Sequence, residues 1–163
     1  MHFNSNQNMK NLKFLIGVFA LAFITACSSD NAEIDTEYPV IDITQNAFPI
    51  QCSTIERGKT ITFKASFSDN VELGSYSLDI HHNFDHHTHS TEVNTCETEA
   101  VKSPVKPMLF INNYTIPNGV KSYEATAQIS IPADVDPGDY HFMIRLTDKE
   151  GWQTLKGLSI KIL

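Results

Sequence analysis

Basic residues are scarce and dispersed. Twelve Lys and Arg stand against 19 Asp and Glu in 163 residues, a formal net charge of −7. Polyanion binding needs clustered cations, so nucleic acid is excluded as a partner, while an acidic surface favours cations. No stretch repeats apolar residues at helical spacing, and the apolar run Phe14–Ile24 is shorter than the ~20 residues a bilayer-spanning helix needs. An HExxH helix and a serine in a nucleophile-elbow pattern are both missing, and the chain is not expected to be an enzyme. Cysteine occurs three times. What is present is 41% hydrophobic sequence, enough for one domain with a sizeable core but not for two.

Lys10 and Lys13 precede the apolar run, and small residues Thr25 and Ala26 follow it, the anatomy of a secretory signal peptide. Its end, Ile24-Thr25-Ala26-Cys27, resembles the bacterial lipobox, in which cleavage falls before a cysteine that carries lipid. Residues 1–26 are therefore expected to be removed, with Cys27 lipidated and holding the chain to a membrane. Residues 27–37 are polar and acidic, without apolar periodicity, and read as a flexible tether ahead of a domain over 38–163. Losing Lys10 and Lys13 leaves ten basic and 19 acidic residues, a net charge of −9. In an exported chain the two remaining cysteines, Cys52 and Cys96, are expected to form a disulfide, stabilising by about 3 to 4 kcal/mol through loop closure. A thiolate metal site using both is the alternative.

Short alternating segments dominate the rest. Val40–Ile43 after Pro39 is a first strand, with Phe48–Cys52 as its continuation or an edge segment. Ile61, Phe63, Ala65 and Phe67 alternate with polar residues, as do Tyr76, Leu78 and Ile80, then Tyr123, Ala125, Ala127, Ile129 and Ile131, and finally Leu158, Ile160 and Ile162. Pro104 and Pro107 forbid a central strand in the region before Met108–Ile111, which has no clear place. Asp136-Pro137-Gly138-Asp139-Tyr140-His141-Phe142 resembles the turn and tyrosine corner that open strand F of immunoglobulin-like domains. The expected fold is all-β: an immunoglobulin-like Greek-key β-sandwich.

Five of the seven histidines fall within nine positions, from His81 to His89. Neutral imidazole is the commonest ligand for transition metals, and His87 and His89, spaced i, i+2, point to one side of an extended chain. By strand phase His81 faces outward with Asp79, and His82 faces the core. If the His81 strand pairs with the one carrying His141, the two imidazoles become outward neighbours ~5 Å apart at Cβ. The expected site is His81, His87, His89 and His141, with Asp79 or Asp85 as a carboxylate ligand or as the acceptor that fixes a tautomer, and His82 and His86 in reserve. Zinc suits tetrahedral nitrogen ligation, and copper(II) binds imidazoles more tightly on intrinsic affinity. In the turns at the other end, Asp69-Asn70 and Asp148 with Glu150 suit either calcium or ordinary turn chemistry.

The lipobox, the segment Ser75 to His89 and Gly138–Phe142 together resemble a family of bacterial lipoproteins called domain of unknown function 4625, over about Tyr38 to Leu163. The match is most specific at His81, Asp85, His87 and His89, and His86 stands where the family has a small residue. The resemblance implies an immunoglobulin-like fold and a place in the cell envelope, expected at the outer membrane on its periplasmic or surface face, beside metal-uptake proteins. Two functions remain: a lipid-anchored protein that captures, delivers or senses zinc or copper, and an adhesion or binding module for a protein or glycan whose histidines are incidental.

Overall fold

The computed structural model describes residues 34–89 and 96–163, so the expected signal peptide over 1–26, the expected lipidation at Cys27 and most of the expected tether lie outside the described residues. The compact unit spans Asp35–Leu163. It is built of eight strands: β1 (Val40–Asp42), β2 (Ser53–Ile55), β3 (Thr60–Ser68), β4 (Leu73–His82), β5 (Phe110–Thr115), β6 (Ser122–Ser130), β7 (Gly138–Asp148) and β8 (Gln153–Ile162). Among the described residues there is no helix, hence none long and apolar enough to cross a membrane.

The strands form two sheets in the orders β1-β3-β6 and β2-β8-β7-β4-β5. Every pairing is antiparallel except β2 with β8, where Ser53, Thr54 and Ile55 run alongside Ile160, Lys161 and Ile162. The chain crosses between the sheets at every step except β4 to β5 and β7 to β8, which are neighbours in the five-stranded sheet, and the two layers form the sandwich of immunoglobulin-like type expected from the sequence. Alternation along the strands sets the core. Phe63, Ala65 and Phe67 of β3 and Ala125, Ala127 and Ile129 of β6 face Tyr76, Leu78 and Ile80 of β4 and Phe142, Ile144 and Leu146 of β7, all buried. Phe63 stacks on Phe142 across the two layers, ring centroids 5.7 Å apart. The tyrosine corner forms: the buried Tyr140 hydroxyl donates to Asp136 O at 2.7 Å and accepts from Met108 N at 3.1 Å.

Three elements differ from the sequence expectation. Phe48 makes only an isolated bridge to Lys64, and the edge strand is the next segment, β2. The region after Pro107 becomes β5, an edge strand on β4, with Ile111 63% exposed. The last strand starts at Gln153 rather than near Leu158, because its first residues pair with Arg145–Thr147 at the far end of β7. Cys52 and Cys96 form a disulfide across a separation of 44 residues, which excludes the thiolate metal site.

Candidate metal centre

β4 and β7 pair so that His81 lies directly opposite His141, in the register that also sets Ile80 against Phe142. Both imidazoles are therefore on the outer face of the five-stranded sheet. Beyond His82 the chain turns: Asn83 N donates to Asp139 O, and His86 N donates back to Asn83 O. This brings His87 and His89 over the strand pair. The four rings stand 4.6 to 5.7 Å apart between centroids. One nitrogen from each of His81, His87, His89 and His141 lies within 4.8 Å of one from every other. Tetrahedral zinc at ~2.0–2.1 Å from each nitrogen sets ligand atoms about 3.4 Å apart. The His81 and His89 Nε2 atoms, 3.0 Å apart, and the 4.8 Å limit bracket that edge.

Hydrogen bonds choose the tautomers. Asp79 Oδ1 lies 2.5 Å from His81 Nδ1, and Asp85 Oδ1 lies 2.6 Å from His87 Nδ1. Each carboxylate accepts the Nδ1 proton, leaving Nε2 as the lone-pair nitrogen, the usual arrangement around imidazole ligands. The same bond from His87 holds the Asp85 carboxyl below the ordinary carboxylate range. His141 Nε2 lies 3.1 Å from His87 O, a bond that puts the proton on Nε2 and the lone pair on Nδ1. Asp79 and Asp85 thus act on the imidazoles rather than joining the cluster.

The structure adds two points that strand phase alone does not give. His141 is on the outer face but 0% exposed, because the His87–His89 segment lies over it. His82 and His86 are not brought into the cluster. His82 keeps the core-facing phase, opposite Tyr140, with its ring 5.0 Å from Phe84. His86 adopts a left-handed backbone (φ 57°), which glycine takes freely and histidine more readily than most residues, and directs Nε2 to within 3.8 Å of Asp139 instead. Sequence reasoning also missed Asp35, assigned to the tether. It is buried beside Asp69 and Asp148 at the opposite end of the domain. Nothing in its polar neighbourhood signals that.

A groove of about 500 Å³ opens beside the imidazoles, lined by His81, His89, Asp79, Ile111, Arg145 and Leu155. It gives a solute access to the cluster from the sheet face.

No curated protein matches the chain. Among solved structures it is similar to Spo0M, a sporulation control protein from Bacillus subtilis, at 9% identity and a TM-score of 0.38. That match covers 79% of this chain and 50% of the other, so the chain spans about half of that protein's length, and the likeness is too low to carry an argument. The family described as Domain of unknown function (DUF4625) matches residues 25–163, well over half of the chain, and the chain belongs to that family.

Proposed function

We propose that the protein is a lipid-anchored envelope protein that binds zinc or copper through His81, His87, His89 and His141, for capture, delivery or sensing of the metal. One observation carries this: four imidazoles, from two paired strands and the segment that follows one of them, converge within 4.8 Å. Asp79 and Asp85 support the reading, since each orients one imidazole with its Nε2 lone pair available. An all-nitrogen set suits zinc in tetrahedral geometry and copper(II) on intrinsic affinity, and does not suit calcium or magnesium, which prefer oxygen. The anchor rests on the lipobox at Ile24–Cys27. In the envelope such a protein would hold metal for uptake proteins in the same membrane.

Isothermal titration of the metal-free protein with zinc and with copper(II) at neutral pH tests the proposal. Saturable binding of one ion is expected, lost on replacing His87 and His89 together by Ala. Protons compete for the same lone pairs, so affinity should fall as pH drops through the ordinary imidazole range near ~6.5. No heat and no thermal shift with either metal would defeat the reading. A second reading, a binding module for a protein or glycan, is favoured by the groove beside the cluster, where Ile111 is 63% and Leu155 44% exposed. It gains if divalent metals leave the melting temperature unchanged, because a ligand of the native state must raise it by mass action.

A further inference from the structure

At the other end of β4 and β7, three aspartates from distant parts of the chain meet. Asp35 lies ahead of β1, Asp69 in the β3–β4 turn, and Asp148 at the end of β7; one carboxylate oxygen from each lies within 4.8 Å of one from each of the others. All three are buried, at 5%, 9% and 4% exposure.

Turn chemistry accounts for half of each carboxylate. Asp69 Oδ1 accepts from Val71 N and Glu72 N at 2.8 and 2.7 Å. Asp148 Oδ1 accepts from Gly151 N and Trp152 N at 2.6 and 2.8 Å. Asp35 Oδ1 accepts from Glu37 N and Asn70 Nδ2 at 3.0 and 3.1 Å. The other half has no such account: Oδ2 of Asp35, of Asp69 and of Asp148 is in each case buried without a hydrogen-bond partner. The neighbouring ammonium groups are directed elsewhere, Lys121 to Asn70 O and Lys149 to Asn118 Oδ1. No ion pair among the described residues reaches the three aspartates. Three buried carboxylates facing one another without a donor repel and are poorly solvated, and a cation among them removes both penalties.

We infer that Asp35, Asp69 and Asp148 form a calcium site that fastens the N-terminal end of the domain to the β3–β4 and β7–β8 turns. Oxygen-only ligation selects a hard cation, and the irregular geometry of three separate loops suits calcium better than the strict octahedron of magnesium. With three carboxylates and water completing the shell, affinity belongs to the weak range of extracellular modules, about 10⁻⁴ to 10⁻³ M. The site is independent of the imidazole cluster in donor type and in place. Asp148 lies seven residue steps along β7 from His141, roughly 23 Å of extended strand.

The chain has one tryptophan, Trp152, whose Nε1 donates to Asp35 O at 2.9 Å and whose backbone N–H caps Asp148. It is an antenna at the site. Chelator-stripped protein titrated with terbium should show emission sensitised through Trp152 and displaced by calcium. Calcium at a hundredfold above its Kd should raise the melting temperature by roughly 10 °C. Asp35→Asn and Asp148→Asn keep an oxygen for the turn bonds and supply an N–H₂ donor to the remaining carboxylates. Each should weaken terbium and calcium binding by roughly tenfold or more while raising the melting temperature of the calcium-free protein. Replacing His87 and His89 should change none of this, so failure of the imidazole site and of this one are separable. Should Asp148→Asn fail to fold, Asp35→Asn, at the domain's edge, carries the test. Wild-type protein with neither sensitised emission nor a calcium-dependent shift, or variants that keep the full calcium response, would overturn the inference.

Discussion

Asp79 offers the sharpest probe of how the imidazole cluster is built. Asp79→Asn preserves the shape of the side chain but removes the charge that accepts the His81 Nδ1 proton at 2.5 Å. The amide can also turn its N–H₂ toward Nδ1. That drives the proton to Nε2, the atom facing His89 Nε2 at 3.0 Å, and blocks the lone pair a metal would use. Loss of a carboxylate behind a ligating imidazole typically weakens metal binding about 10- to 100-fold, or about 1.4 to 2.7 kcal/mol. Without metal the change should be small, within about 1 kcal/mol, because Asp79 is 34% exposed and its pairing is screened by solvent. Asp85, 64% exposed, should matter less than Asp79 when changed to Asn. The assay is competition against a chelator of known zinc affinity at neutral pH, beside thermal melts of the metal-free variants. Equal affinity in Asp79→Asn and wild type, with binding abolished in His81→Ala, would refute the orienting role. Equal affinity in all three would remove His81 from the site.

Tyr140→Phe deletes the hydroxyl that bonds Asp136 O and Met108 N, stranding a buried donor; a loss of about 1 to 3 kcal/mol is expected by urea denaturation, and a change within error would make the tyrosine corner dispensable. Reducing the Cys52–Cys96 bond should lower stability by about 3 to 4 kcal/mol, read as a drop in urea midpoint with reductant present. Tyr76, packed between the sheets against Tyr114 and Tyr123, has its phenol pushed up to about 12, chiefly by burial and then by those two rings. Because the folded value lies above the unfolded one near 10, its contribution to stability is complete below pH ~10 and disappears as pH rises toward 12. Phenolate absorbance should therefore show Tyr76 titrating late and together with unfolding, and a normal early titration would contradict its burial.

The long strands were legible because their two faces meet different solvents. Phe63, Ala65 and Phe67 lie inward and Lys64 and Ser68 outward, so composition alternates with the pleat. The same phase placed His81 opposite His141, and export chemistry paired Cys52 with Cys96. The two edge strands of the five-stranded sheet were not legible. In β2 only Ile55 is buried, and β5 exposes Leu109 and Ile111 on either side of its start, so neither leaves a period-2 signature. Nor could phase show that His141 is covered, since that depends on the path of the chain after Asn83. Asp35 escaped for a related reason: its partners, Asp69 and Asp148, are distant in sequence and are brought to it only by the turns they cap.

The pairing of β4 with β7 also acts as a gauge. Side chains alternate across a strand, so slipping one strand by a single residue would turn Leu78 and Ile80 toward water and His81 toward the interior. The oily side of these two strands therefore enforces the alignment of the imidazoles on their reverse side. An inserted or deleted residue within either strand would damage packing and ligation together, whereas point changes confined to one side leave the other's alignment intact.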